Sequence, residues 1–344
     1  MGNPFTLNFG LEPASYISRK QQSDEIIRNF SSDPSPAHLY MVTGIRGVGK
    51  TVFMTEIEEH FKKQGWIVCD LSIEGDLLKS FAAKLYNEEK LNALFLSAKL
   101  NLSYFGIGIH IDDNPAITDL SIAIERMLKI VAKQNKKVLI AIDEAVNSAS
   151  MRQFASEFQI FLRNKYPIYL LMTGLYENIY ELQNEKTLTF LYRAPKITLE
   201  PLNMLAVVNG YQKIFQNTEE EARKMALLTQ GYSYAYQVVG YLCWEAGVKT
   251  INDDIVRQFD INMDEYVYGK IWDEQSELKR KILLAMAETP SGSVTDIREK
   301  VGMTPSQFSV YRSRLIRQGL IRADGYGQLA FTLPRFDEFL KRQW

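Results

Sequence analysis

The sequence is poor in the residues that build covalent or metal-bound scaffolds. Among 344 residues there are two cysteines, Cys69 and Cys243, far apart and each in an apolar run. That excludes a disulfide framework or a zinc cage and suits a reducing cytoplasm. The three histidines, His38, His60 and His110, stand away from any cysteine or acidic cluster, so no histidine-built metal site is expected. Charge of one sign is missing as well. Forty Lys and Arg against 41 Asp and Glu leave a net charge of −1, so attraction to nucleic acid would have to come from a local patch. No apolar run approaches about 18 residues and no basic-then-apolar leader is visible, so neither a membrane span nor secretion by that route is expected. Met1 to Thr6 fits the myristoylation pattern, which is short enough to arise by chance. What remains, 46% hydrophobic and 24% charged, is the composition of a globular protein of two or three domains without internal repeats.

Along the chain, residues 1–35 are polar and turn-rich around a short helical pattern near 18–30. From His38 onward, apolar strands alternate with amphipathic helices. Leu39 to Thr43, Trp66 to Leu71, Val138 to Ile142, Ile168 to Met172 and Lys196 to Leu199 read as strands. Helical spacing covers 50–64, 75–86, 116–134 and 150–164. Leu100 to Ile111 alternates in strand fashion and predicts an irregular hairpin. Buried strands alternating with helices imply a parallel sheet covered on both faces, an α/β fold whose ligands bind at the carboxyl ends of the strands. Residues 203–265 read as all-helical.

Gly44-Ile45-Arg46-Gly47-Val48-Gly49-Lys50-Thr51 fits G-x-x-x-x-G-K-[ST], with a strand before it and a helix after it. The glycines let backbone N–H groups turn around phosphates while the helix N-terminus adds partial positive charge. Lys50 would reach the β- and γ-phosphates of ATP, and the Thr51 hydroxyl would coordinate Mg²⁺. The strand ending Ile140-Ala141-Ile142-Asp143-Glu144 delivers two acids to the same sheet edge. Asp143 would hold Mg²⁺, and Glu144 would activate an attacking water as general base.

At these residues the chain resembles the AAA+ and STAND group of P-loop ATPases, especially bacterial and archaeal members related to origin-recognition proteins. The resemblance spans nearly the whole chain and implies a P-loop NTPase sheet, a helical lid and a C-terminal winged helix. Asn3-Pro4-Phe5, Phe9-Gly10 and Ser18-Arg19 are similar to that group's adenine-side segment, with Ser18 where glycine is usual. Thr173, in Leu171-Met172-Thr173-Gly174, stands where the group carries a polar sensor of the γ-phosphate. Arg193 stands where it carries an arginine that acts on a neighbouring subunit's nucleotide. Gln230-Gly231-Tyr232-Ser233-Tyr234 matches the second-sensor segment, but no arginine occurs between Arg223 and Arg257. The lid is therefore expected to contact nucleotide without an arginine sensor, with slow or partner-dependent turnover. The aromatic helix carrying Tyr232, Tyr234, Tyr236, Tyr241 and Trp244 is read as core between lid and sheet.

Residues 273–344 form a separate pattern. Leu278 to Ala287, Ser293 to Lys300 and Thr304 to Arg317 read as three helices, the last with a threonine cap and Pro305 behind it. Leu320 to Phe331 reads as a hairpin, completing a winged helix-turn-helix. Residues 301–323 hold Arg312, Arg314, Arg317 and Arg322 and no acid, a local basic patch suited to phosphate. Gln307 and Ser309 are candidate base contacts, with Arg312 and Arg314 beside them. The same module could instead bind protein, its arginines merely solvated.

The expected organisation is a P-loop α/β domain at 1–202, a helical lid at 203–272 and a winged helix at 273–344. The expected function is a cytoplasmic ATPase using ATP and Mg²⁺, coupling nucleotide to double-stranded DNA or to assembly with itself or a protein partner, without a membrane. The alternative is a regulatory switch with slow turnover whose winged helix binds protein. A metabolite kinase is disfavoured, because Glu144 suits water rather than another acceptor and no small-substrate pocket is evident.

Overall fold

The computed structural model describes residues 2–8, 13–108 and 116–343. Phe9-Gly10, His110 and the end of the expected hairpin at 109–111 lie outside the described residues. The chain divides into two compact units. One holds Lys20–Thr43 and Lys50–Thr198, the other Met1–Arg19, Gly44–Gly49 and Leu199–Trp344.

The first unit is built on α1 (Lys20–Ser31), β1 (Leu39–Thr43), α2 (Lys50–Lys63), β2 (Ile67–Leu71), α3 (Leu77–Tyr86), α4 (Glu89–Ser97), α5 (Leu120–Lys133), β3 (Val138–Ile142), α6 (Ala149–Arg163), β4 (Ile168–Gly174), α7 (Tyr176–Gln183) and β5 (Lys196–Thr198). The strands form one parallel sheet in the order β2-β3-β4-β1-β5. Every residue of β1, β3 and β4 is buried, as continuous apolar strands covered on both faces must be. Polar caps start the helices: Asp76, Asp119 and Ser148 each accept a backbone N–H from the first turn of α3, α5 and α6. Helices α4 and α7 lack such a side-chain cap bond and had no start signal in the sequence.

The expected hairpin from Leu100 is not formed in its described part. Ser103–Phe105 is a 3-10 turn, and the Asn101 carboxamide accepts from Ser103 N (3.2 Å) and Ser103 Oγ (2.7 Å). Leu100, Leu102 and Ile107 bury in the sheet unit's core. The apolar alternation is present, but Asn101 offers the backbone a local alternative to a ladder, and no described strand pairs with it.

The second unit continues with α8 (Met204–Phe215), α9 (Glu219–Thr229), α10 (Ser233–Glu245) and α11 (Asp253–Met263). It then has a π-helical turn (Asp264–Tyr268), α12 (Gly269–Asp273), α13 (Glu277–Ala287), α14 (Val294–Lys300), α15 (Pro305–Arg317), β6 (Ile321–Ala323), β7 (Leu329–Phe331) and α16 (Phe336–Lys341). Strands β6 and β7 pair antiparallel, and Ser293 bridges to Gln328. Capping boxes begin α9 (Thr218, Glu221) and α15 (Thr304, Gln307), the latter with Pro305 at its first position. One hydrophobic core runs from Phe5 through α8–α11 to Phe308, Leu315 and Phe336. Tyr232 and Tyr236 are buried in that core, with Tyr234, Tyr241 and Trp244 packed against it. The aromatic helix thus belongs to the core of the helical unit itself.

Candidate phosphate site

In the sheet unit, parallel register and the first turn of α2 bring three polar groups to one sheet edge. Val42 of β1 is level with Thr173 of β4, and Ile142 of β3 with Met172, so Asp143, one residue beyond β3, emerges beside Thr173. The Asp143 carboxylate is held from both oxygens. Thr51 Oγ1, in the first turn of α2, donates to Oδ2 at 2.6 Å. Thr173 Oγ1, fully buried, donates to Oδ1, as does the Glu144 N–H at 2.9 Å. Thr173 is thus a direct partner of Asp143. Glu144 is exposed and has φ 53, a left-handed conformation uncommon for a residue with a side chain. Its backbone turns back onto Asp143 while its carboxylate faces solvent.

A further carboxylate, Glu58, is not among the residues expected from the motifs. Glu58 sits among Phe53, Met54, Ile57 and Phe61 on the buried face of α2, 3.8 Å from Lys62 Nζ. Burial, reinforced by Asp70 and opposed by Lys62, pushes its carboxyl up from 4.5 to about 7. The signal was in the sequence, because the helical period places residue 58 on the apolar stripe.

Residues 44–49 form the other half of the pattern and belong to the helical unit. Gly47 and Gly49 take φ +75 and +94, which favours glycine at both. The loop's carbonyls are occupied by residues far away in sequence. The Arg46 carbonyl accepts from the Tyr232 hydroxyl, 186 residues on. The Gly47 carbonyl accepts from Tyr234 N at 3.2 Å. The Val48 carbonyl accepts from Ser233 Oγ at 2.9 Å and from Arg19 Nη2 at 2.9 Å. Arg19 also donates to Ser233 Oγ (3.1 Å) and to the Glu200 carbonyl, and burial pulls its pKa down. Burial pushes the Tyr232 phenol far up, so it remains a donor. The Arg46 side chain pairs with Glu274 at 2.8 Å. Gly44 and Ile45 lead into the loop from β1, Lys50 and Thr51 open α2 from its far side, and Ile45 packs against the helical unit's core.

Arg193 ends a 3-10 turn before β5. It is exposed, and its side chain forms no hydrogen bond or ion pair with any described residue. In the C-terminal segment, Ser309, Arg314 and Arg317 of α15 are exposed and Arg312 is half-buried. Gln307 is committed to the capping box, its Oε1 accepting from Thr304 N (3.3 Å) and Oγ1 (3.1 Å). Arg314 lies over the Tyr311 ring at 5.6 Å, and Arg322 pairs with Asp324 at 3.5 Å. Tyr326, at the hairpin tip, is fully exposed. Among the described residues no helix is long and apolar enough to cross a membrane, and no group of three or more His, Cys, Asp or Glu could hold a metal.

Solved structures share this architecture. The Walker-type ATPase PABY2304 of Pyrococcus abyssi superposes with a TM-score of 0.71 at 15% identity, covering 98% of this chain and 99% of that one. The Orc2 protein of Aeropyrum pernix, solved in ADPNP and ADP complexes, gives 0.58 at 15% identity over 97% and 96%. The chain has their fold: a P-loop NTPase sheet followed by a helical region and a small antiparallel sheet. Residues 265–340 match a domain of unknown function (DUF8462). No curated protein matches the sequence.

Proposed function

We propose that the protein is a Mg²⁺-dependent ATPase whose nucleotide state governs DNA association through residues 273–344. The observation that carries the ATPase reading is the Asp143 carboxylate held by the hydroxyls of Thr51 and Thr173. This joins the two halves of a phosphate motif that lie far apart in sequence. The loop Gly44–Gly49 would receive the phosphates on its amides, and Lys50 would meet the β- and γ-phosphates. Thr51 and Asp143 fit Mg²⁺, offering one hydroxyl and one carboxylate and leaving further positions to phosphate and water. The bound ion would neutralise charge developing on the phosphates. Glu144, exposed beside Asp143, would take the proton of the attacking water, and Thr173 would keep Asp143 oriented. Arg193, exposed and unpaired among the described residues, suits action on the nucleotide of a second copy. The ADPNP and ADP complexes of the fold-sharing Orc2 protein support a nucleotide ligand.

The DNA reading rests on α15. Arg314 and Arg317 are exposed on it, without an acid between 301 and 323. The exposed Val310 between them and the helix start could meet a thymine methyl. The division into a P-loop domain (1–202), lid (203–272) and winged helix (273–344) is part of the same proposal. The shared core of the last two supports their acting as one body. The Arg46–Glu274 pair links phosphate loop to that body. The two buried free cysteines, Cys69 and Cys243, suit the cytoplasm.

Two measurements test this. Lys50→Ala in a folded chain should abolish Mg·ATP binding by calorimetry, and unchanged affinity would refute the site. Arg312→Ala/Arg314→Ala should weaken duplex binding and flatten the log-affinity against log-salt slope by about one unit per lost phosphate contact. Equal slopes would favour the reading in which this segment docks to protein.

A further inference from the structure

A peptide's C=O and the next residue's N–H lie in one plane and point to opposite sides. Fixing a carbonyl therefore fixes the direction of the amide that follows it. In the phosphate loop three consecutive carbonyls are taken: Arg46 by the Tyr232 hydroxyl, Gly47 by the Tyr234 N–H and Val48 by Ser233 Oγ and Arg19. These bonds set the direction of the Gly47, Val48 and Gly49 amides. The Val48 N–H closes a turn onto the Ile45 carbonyl at 3.3 Å, so the Gly47 and Gly49 amides are the two that concern phosphate. Fit reinforces direction, because a Cβ at Gly47 would fall 2.0 Å from the Tyr232 hydroxyl oxygen. The loop and the tyrosine therefore pack with no room for a side chain between them. The position that the sequence resemblance assigned to nucleotide contact is thus turned toward the loop backbone.

We propose that Tyr232 and Ser233, together with Arg19, are positioning residues for nucleotide. They act by holding the loop's carbonyls on the side of the helical unit, so that the Gly47 and Gly49 amides remain turned toward phosphate. This inference rests on the Mg·ATP reading. Their targets are the α- and β-phosphates cradled by loop amides, which ATP and ADP share. Loss of the Tyr232 hydroxyl must then weaken both nucleotides by one common factor. A group that senses the γ-phosphate would act on ATP alone.

The test is calorimetric titration of the full-length chain with Mg·ATP and with Mg·ADP. Tyr232→Phe deletes one neutral hydrogen bond and should raise both Kd values by about three- to tenfold. Ser233→Ala should raise both by a smaller equal factor, since Arg19 still holds the Val48 carbonyl. Ser233→Thr, which keeps the hydroxyl, should restore affinity. Tyr211→Phe is the control. Tyr211 is buried in the same core but donates to the Tyr236 carbonyl, so it should lower the melting temperature without altering either Kd. Unchanged affinities in folded Tyr232→Phe, an effect on ATP only, or an equal effect of Tyr211→Phe would overturn the proposal. If Tyr232→Phe does not fold, the Ser233 pair decides by the same criterion. The two readings fail separately. Wild-type affinity that Lys50→Ala abolishes and Tyr232→Phe leaves intact defeats only the positioning role. A wild-type chain that binds neither nucleotide defeats both.

Discussion

The sheet edge at Asp143 and Thr173 and the glycine-rich loop at residues 44–49 are organised in opposite ways. At the sheet edge, Asp143 and Thr173 are brought together by strand register. They project from strands buried throughout, so their positions inherit the rigidity of the core. The loop has no ladder. Its shape is held by a few side chains, Arg19, Tyr232 and Ser233, gripping its carbonyls. The sheet half should therefore respond to mutation through chemistry and through core electrostatics. The loop half should respond through adjustable conformation, as the proposed coupling of nucleotide state to the helical unit requires.

The sharpest break is expected at Glu144. Glu144→Gln should retain Mg·ATP binding while slowing hydrolysis by about 10²–10⁴-fold, read as single-turnover phosphate release. A mutant with wild-type turnover would remove Glu144 from the chemistry.

The sheet unit should also carry a pH signature that the loop lacks. Glu58 binds its proton more tightly in the folded chain, with a pKa of about 7 against 4.5. Its contribution to stability is therefore full below about pH 4.5 and declines as pH rises toward 7, by up to about 3 kcal/mol. Glu58→Gln should flatten that decline, checked by urea midpoints from pH 4.5 to 8. An unchanged slope would show that Glu58 is not the group responsible.

Thr173→Val keeps the shape of a fully buried side chain and removes a donor to Asp143. It should destabilise the chain by about 1–3 kcal/mol and loosen Mg²⁺-dependent nucleotide binding. A change in melting temperature with no change in metal dependence would make Thr173 a structural partner only.

The smallest effect is expected where loop meets helical unit through charge. Arg46 and Glu274 are each about one-third exposed, so the pair should contribute under about 1 kcal/mol to stability. Its expected importance is coupling. Arg46→Glu should blunt any effect of ATP on duplex affinity, and adding Glu274→Arg should restore part of it. Independent effects of the two substitutions would remove the pair from the relay.

Much of the fold was legible because its signals are local. Leu39–Thr43 and Val138–Ile142 are apolar runs of strand length that end at the glycine-rich loop and at Asp143, and the caps at Ser293 and Thr304 mark helix starts. The segment near Leu100 misled because alternation records which side chains can bury, whereas Asn101 decides how the backbone is satisfied. Gln307 was legible as a helix-start residue but not as one whose carboxamide oxygen is already engaged. Glu58 could have been found from its place on the apolar stripe.

By itself the sequence determined the succession of the five parallel strands, the phosphate pattern at 44–51, the acid pair at 143–144 and the basic helix at 305–317. Each is written in neighbouring residues, through apolar period, cap chemistry and glycine spacing. Only the tertiary structure decided that Thr173 bonds to Asp143, that Glu58 shifts its proton affinity, and that Tyr232, Ser233 and Arg19 hold the phosphate loop. The hydrogen bonds join groups between 29 and 186 residues apart that meet in the folded interior, and the Glu58 shift comes from burial there. There a hydrogen-bonding group must find a partner or pay the cost of leaving water, and which partner it finds is a property of the packed chain.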